Sequence, residues 1–548
     1  MAEKYQQSLL EGKGKGDTMG VYLNPGKKGF ETILNGTYID KTGLIDYINE
    51  TIDTPRKLTC FSRPRRFGKS FAAKMLCAYY DRSCDSRDLF GGLRISREKS
   101  FDSNLNRFDV IYLDITWFIS RSKSRGTSIL KDIQDAVINE LRETFPACVS
   151  ANEVYLPDAM LNVSHKMKRK FFVIIDEWDA LFREAKDDKK LQKEYVQLLR
   201  GLFKGGTVTD EMIAGAYMTG ILPIKKYGTQ SALTDFREFT MTRPAKLAEY
   251  VGFTEPEVRM LCTKYHMDFE NMRTWYDGYS FSRIQHVYSP NSVMNALQDE
   301  EFQNYWTESE TYESLTDYIT QDYDGLKKAI VQMLGGQHIP VDISTFQNDL
   351  TSFKSKDDVI TLLIHLGYLA YDDAQKEVYI PNLEVADAFR SAVKGSKWTE
   401  VNKSLSLSDK LLKATINGDA EMVAEALELA HETCASHLEY NDENSLSCAI
   451  QLAYYTARNN YEIFRELPTG KGFADYAFIP RKGVELPAMV IELKYNKSAD
   501  SAIKQIHDNH YEGKLKGIRG KVLLVGINYD KEAKGEGRKR HTCIIEEI

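Results

Sequence analysis

The chain has no run approaching the roughly 18 apolar residues a membrane-spanning helix needs, so no membrane association is expected. It has no CxxC pair. Its eight cysteines (Cys60, Cys77, Cys84, Cys148, Cys262, Cys434, Cys448 and Cys543) are scattered, which excludes zinc-type ligand spacing and argues against a disulfide framework. Small buried side chains in a reduced protein are the expectation. It also has no excess of positive charge. With 72 Lys and Arg against 79 Asp and Glu, the formal net charge is −7. That argues against a uniformly basic nucleic-acid coat, although a local basic groove depends on charge distribution rather than on the total. The N-terminal MAEKYQQSLLEGKGKG has no apolar h-region, so no secretory signal is expected and the cytoplasm is the expected compartment. No fixed-period repeat is present.

At 548 residues, 42% hydrophobic and 28% charged, the chain is an ordinary globular sequence too long for one core, and two to four domains are expected. A flexible stretch over 1–24 precedes a region where unbroken apolar runs alternate with helical patterns. The runs are LTCF (58–61), DVIYLDI (109–115), FFVIID (171–176) and MIAGAYMTGIL (212–222), with FREFTM (236–241) a weaker fifth. SILKDIQDAVINELRETF (128–145) is the clearest intervening amphipathic helix. Unbroken apolar strands separated by helices indicate a parallel sheet covered on both faces. The expected boundaries are a nucleotide-binding α/β domain over 25–245, a helical domain over 246–350 containing WYDGYSF (275–281), and a winged-helix-like or helical module over 351–430. That module is a helix (357–367), a hairpin (368–381) and a helix (382–393), and it either contacts DNA or packs between domains. A second α/β unit over 431–548 closes the chain with a helix (442–459), strand YEIFRE (461–466), hairpin arms (474–480 and 488–495), a helix (498–513) and two final strands.

Phosphoryl transfer needs a pocket that neutralises several oxygens without bulky side chains in the way. A glycine turn feeding a helix N-terminus provides backbone N–H groups and a favourable dipole. Arg63-Pro64-Arg65-Arg66-Phe67-Gly68-Lys69-Ser70 lies directly between an expected strand and an expected helix, with Arg63 where the first glycine of a P-loop usually stands. Lys69 is the candidate for the β/γ-phosphates and the Ser70 hydroxyl for Mg²⁺. The run ending in Asp176-Glu177 supplies the second half: a carboxylate for the metal shell and one to polarise water. Another strand and helix lie between the two halves, as in the ATPase branch with an extra strand, where Thr219 takes the place of a polar sensor.

TYIDKTGLI (37–45), RPRRFGKS (63–70), IIDEWDALF (174–182), TGILPI (219–224), WYDGYSF and VYSPNSVMNAL (287–297) together resemble the bacterial family of predicted AAA-ATPase-like proteins, over residues 25–310. The resemblance implies ATP binding by Gly68, Lys69 and Ser70, Mg²⁺ support by Asp176 and catalysis by Glu177. An Arg-rich loop in place of the first glycine looks typical of that family. Arg65 and Arg66 either help to bind phosphate or serve the loop's structure.

At the C-terminal end Asp475 begins a hairpin arm, and Glu492 and Lys494, two apart on the next strand, share a face. Asp-x₁₆-Glu-x-Lys converges if the hairpin brings Asp475 beside Glu492, giving metal ligands and a cation near an attacking water. Glu443 on the preceding helix is a further candidate carboxylate, and Gln505 on the following helix a candidate to orient water or phosphate. His507 and His510 read as solvated helix positions. The order of elements looks like the core of PD-(D/E)XK nucleases. LPTGKGFADYAF (467–478), AMVIELKYNKS (488–498) and AIKQIHDNHY (502–511) resemble the nuclease domain often fused to such ATPases, except that Phe473-Ala474 stand where Gly-Arg is common.

The expected function is an ATPase coupled to a Mg²⁺-dependent nuclease acting on nucleic acid, DNA ahead of RNA. The alternative is a nucleotide-dependent switch or scaffold whose nuclease-like domain binds without cutting. No arginine finger is identifiable, and a homo-oligomer stays open.

Overall fold

A computed structural model describes residues 19–224, 233–306, 315–316, 318–319, 323–346, 353–395, 399–434, 450–451, 453–469, 472–481, 483–509, 520–531, 533 and 539–548. The chain forms two compact units: residues up to Tyr305 with Pro340–Asn382, and Trp306–Ile339 with Leu383–Ile548.

The first unit is organised by a five-stranded sheet, β1 (Leu58–Ser62), β2 (Asp109–Asp114), β3 (Phe171–Asp176), β4 (Ile213–Gly220) and β5 (Arg237–Phe239), in the order β2-β3-β4-β1-β5. Every pairing is parallel. The long apolar runs have become this sheet because each is buried on both faces; β1, β3 and β4 expose no residue at all. β4 separates β1 from β3, so the fold is the P-loop ATPase type with an extra strand. The helix Ile129–Thr144 places Ile129, Ile133, Val137, Ile138 and Leu141 in the core at helical spacing. Its Glu140 carboxylate also gathers the backbone N–H groups of Val21, Tyr22 and Leu23.

Beyond the sheet, Thr254 and Glu257 form a capping box that starts the helix Glu255–Tyr265. WYDGYSF divides: the helix Phe269–Tyr276 stops at Tyr276, and β7 (Tyr279–Phe281) pairs with β8 (Ile284–Tyr288), which also pairs with β6 (Phe253–Thr254). Aromatic residues suit either state, and Gly278 at φ 118° makes the switch between them. Tyr279 packs edge-on against Phe67 with ring centroids 5.4 Å apart, so this hairpin braces the loop before Gly68. The helix Lys356–Leu366 and the pairing of β9 (Ala370–Asp372) with β10 (Glu377–Tyr379) follow.

In the second unit, the helical stretch 409–430 is broken at Gly418 (φ 74°) into the helices Thr399–Ile416 and Ala420–Cys434. A mixed sheet, β11 (Tyr461–Thr469), β12 (Gly472–Pro480), β13 (Ala488–Tyr495), β14 (Val522–Tyr529) and β15 (His541–Glu547), runs in sequence order. Only β13 and β14 are parallel, joined by a crossover containing the helix Ala499–Asp508; the other pairings are antiparallel. The second unit is therefore α/β as well. Among the described residues no helix is long and apolar enough to cross a membrane.

Candidate functional site

β1 delivers the chain to the phosphate loop, and the helix Lys69–Tyr80 leaves it. Gly68 caps that helix at φ 92°, and a Cβ added there would meet nothing within 4 Å, so the turn opens on free space. The Lys69 ammonium is enclosed: it donates to the Pro64 carbonyl at 2.9 Å and lies 3.2 Å from Glu177 Oε1. Arg63, at the missing glycine's position, is fully buried. Its backbone N–H donates to the Gly220 carbonyl, and its guanidinium lies 4.7 Å from the Phe61 ring and 5.0 Å from the Phe281 ring. Arg65 is partly buried, whereas Arg66 is exposed at φ 65°.

β3 sets the carboxylates. Asp176 Oδ2 accepts from the Tyr112 hydroxyl at 3.1 Å, whereas its Oδ1 is buried with no hydrogen-bond partner among the described residues. Burial pushes the Asp176 carboxyl up to about 6, against the hydrogen bond from Ser70, which shows that Ser70 and Asp176 meet. Glu177 turns into the left-handed region at φ 52°, and its Oε2 is 2.5 Å from Arg183 Nη2. Burial works to raise Glu177, but the Lys69 and Arg183 charges outweigh it and hold the carboxyl below its ordinary range. The Trp178 N–H donates to the Thr219 carbonyl at 3.0 Å, tying β3's exit to the end of β4. Among the described residues the buried Thr219 hydroxyl has no partner. Asp179 accepts from the backbone N–H groups of Ile221 (3.2 Å) and Leu222 (2.9 Å). The structure therefore gathers Lys69, Ser70, Asp176 and Glu177, with Thr219 joined through the backbone.

In the second unit β12 pairs with β13 so that Tyr476 faces Ile491; the next position in that register sets Asp475 across from Glu492. Asp475 Oδ2 accepts from the Leu493 N–H at 2.6 Å. The Lys494 ammonium lies 2.7 Å from Glu492 Oε1, and Glu492 Oε2 is buried without a partner among the described residues. Burial, reinforced by Asp475, raises Glu492 to about 7, with Lys494 opposing. The hairpin thus brings Asp475, Glu492 and Lys494 together. Glu443 and His510 lie outside the described residues. Gln505 is half-buried on the crossover helix, and His507 is exposed, with Nε2 2.7 Å from Glu546.

Both sites fit a divalent cation, since each holds a buried carboxylate oxygen that no described residue satisfies. Among the described residues no group of three or more His, Cys, Asp or Glu forms a metal cage. Such an ion would rest on few protein ligands, with water and phosphate completing its shell, the habit of Mg²⁺. Sequence reasoning missed Tyr112, Asp179 and Arg183. Asp179 and Arg183 stand within or just beyond the quoted IIDEWDALF, and the signal was the i, i+4 acid–base spacing that sets them on one helix face.

The fold is α/β in both units, with a P-loop after β1 in the first and a carboxylate–lysine cluster on β12 and β13 in the second. Residues 26–229 match the family described as predicted AAA-ATPase, and residues 442–536 match the PD-(D/E)XK nuclease superfamily. The two matches support a chain of two parts, one similar to that ATPase family and one similar to that nuclease superfamily. A curated relative, an uncharacterized protein in the vnfD 5′ region of Azotobacter chroococcum mcd 1, is 23% identical over 373 residues, 65% of this chain; the match spans 66% of the relative's length. The solved ORC2 protein of Aeropyrum pernix, in ADPNP–ADP complexes, aligns over 66% of this chain and 96% of its own, at 11% identity and a TM-score of 0.27. At that score it carries no weight here.

Proposed function

We propose that this protein binds and hydrolyses ATP and couples that cycle to Mg²⁺-dependent cleavage of nucleic acid phosphodiesters, DNA ahead of RNA. The observation that carries the cleavage half is Asp475 set opposite Glu492, with Lys494 against the same carboxylate and one Glu492 oxygen unsatisfied.

In the ATPase half, the backbone N–H groups after Gly68 receive the phosphates and Lys69 leaves Glu177 to meet them. Ser70 and Asp176 would hold the metal, and Glu177, released from Lys69, accepts the proton of the attacking water. Thr219 reports on the terminal phosphate. In the nuclease half, Asp475 and Glu492 would hold the metal, and Lys494 stabilises the developing charge and orients water. Mg²⁺, when bound, would supply neutralisation of the phosphate oxygens and a more acidic water at each site. A second reading, a nucleotide-dependent switch that binds without cutting, draws support from Phe473-Ala474 ahead of Asp475.

The test is a cleavage assay on plasmid, single-stranded DNA and RNA with Mg²⁺ or Mn²⁺, with and without ATP. Lys69→Ala is expected to abolish ATP turnover. Lys494→Ala is expected to abolish cutting and leave turnover intact; undiminished cutting by Lys494→Ala would sink the site assignment. No cutting by the wild type under any condition would leave the switch as the better reading.

A further inference from the structure

Lys69 and Arg183 both lie against Glu177, with the charge of Arg65 acting on it as well, and the proposed cycle removes Lys69. Lys69 has to turn to phosphate; Arg183, at the start of the segment after β3, has no such duty. Its Nη2 lies 2.5 Å from Glu177 Oε2 and its Nε 3.2 Å from Asp179 Oδ2. The side chains of Arg183 and Asp179 are 11% and 1% exposed, so this is an enclosed bridge rather than a freely exchanging surface pair. Asp179 is in turn fixed by the N–H groups of Ile221 and Leu222, immediately beyond Thr219-Gly220. A planar guanidinium reaches both carboxylates at once, which an ammonium on a flexible stem does not.

We propose that Arg183 is the positioning residue for Glu177: it aims the carboxylate after Lys69 departs and links it, through Asp179, to the end of β4 where Thr219 sits. Movement at the terminal phosphate is thereby passed to the group that activates water. This rests on the ATPase reading.

The experiment measures steady-state ATP turnover of the full-length protein with Mg²⁺ for wild type, Arg183→Ala, Arg183→Lys, Asp179→Asn and the Arg183→Ala/Asp179→Asn double variant. Arg183→Ala is expected to lower kcat about 100-fold, the usual loss when a reacting group is misplaced by about an ångström, with KM for ATP within about three-fold. Arg183→Lys, which keeps the charge and loses the fork, is expected to recover part of that loss. The double variant is expected to be no slower than Arg183→Ala alone, since both changes cut one chain of contacts. If Arg183→Ala fails to fold, the Lys and Asn variants carry the same kcat-against-KM comparison. A kcat within two-fold of wild type, or equal losses in kcat and ATP affinity, overturns the role of Arg183 alone. A wild type that never hydrolyses ATP overturns the ATPase reading and this role with it.

Discussion

His365 is wholly enclosed on the helix Lys356–Leu366, stacked on Phe346 at 5.8 Å, and its Nδ1 has no partner among the described residues. Burial, helped by the charge of Arg63, lowers its pKa from 6.5 to about 4. The folded state therefore refuses a proton that the unfolded chain accepts below pH 6.5, so stability falls on acidification through the window from 6.5 down to 4. At about 1.4 kcal/mol for each unit of displacement, this group alone removes about 2 kcal/mol between pH 7 and 5. Urea unfolding at the two pH values should show a drop smaller by that amount in His365→Leu; identical drops in both proteins would show that the imidazole is not held neutral. Arg63 presents the converse problem, a buried cation with no carboxylate, eased by the faces of Phe61 and Phe281. Its burial was unreadable in a loop that shows three arginines in four positions.

Close approach of elements sets the next scale. A Cβ on Gly220 would lie 2.5 Å from Asp179 Oδ1 and 2.8 Å from the Trp178 ring, so β4 meets the turn after β3 only because position 220 has no side chain. Gly220→Ala is expected to cost about 2 kcal/mol, as overpacking of a filled core does, read as a lower denaturant midpoint. It should also slow ATP turnover, because Asp179 is the carboxylate displaced. The five strands of the first sheet were legible because a strand buried on both faces must be apolar throughout. The extra-strand order was legible because another strand and helix lie between Ser70 and Asp176. WYDGYSF misled, since its aromatics serve a helix end and a strand equally well and only Gly278 marks the change. Asp475, Glu492 and Lys494 could be grouped from spacing because a hairpin has few registers. Arg183 offers only its i, i+4 spacing from Asp179, which reads as an ordinary surface pair until its second carboxylate partner, Glu177, is seen.

For the whole molecule, the net charge of −7 conceals local pairing. Among the described basic residues near the C-terminus, Lys521 lies 2.6 Å from Glu547 and Lys539 2.8 Å from Glu425. The Arg540 and His541 N–H groups both donate to Glu428. Glu421, Glu425 and Glu428 thus form an acidic stripe along one helix that answers this end of the second sheet. Ligand linkage acts at the same scale. A nucleotide that binds only the folded state adds about 2.7 kcal/mol at a concentration 100 times its Kd. A melt of the intact protein should rise with ATP and Mg²⁺ and stay fixed in Lys69→Ala; an equal rise in that variant would place the nucleotide elsewhere.

Arg63 also ties the phosphate loop to its surroundings in both directions. Arg63→Gly would leave Phe61 and Phe281 around a hole the size of the lost side chain, while bulkier neighbours with Arg63 still present would collide with it. Position 63 therefore accepts glycine only alongside compensating changes in β1 and in the hairpin that carries Phe281.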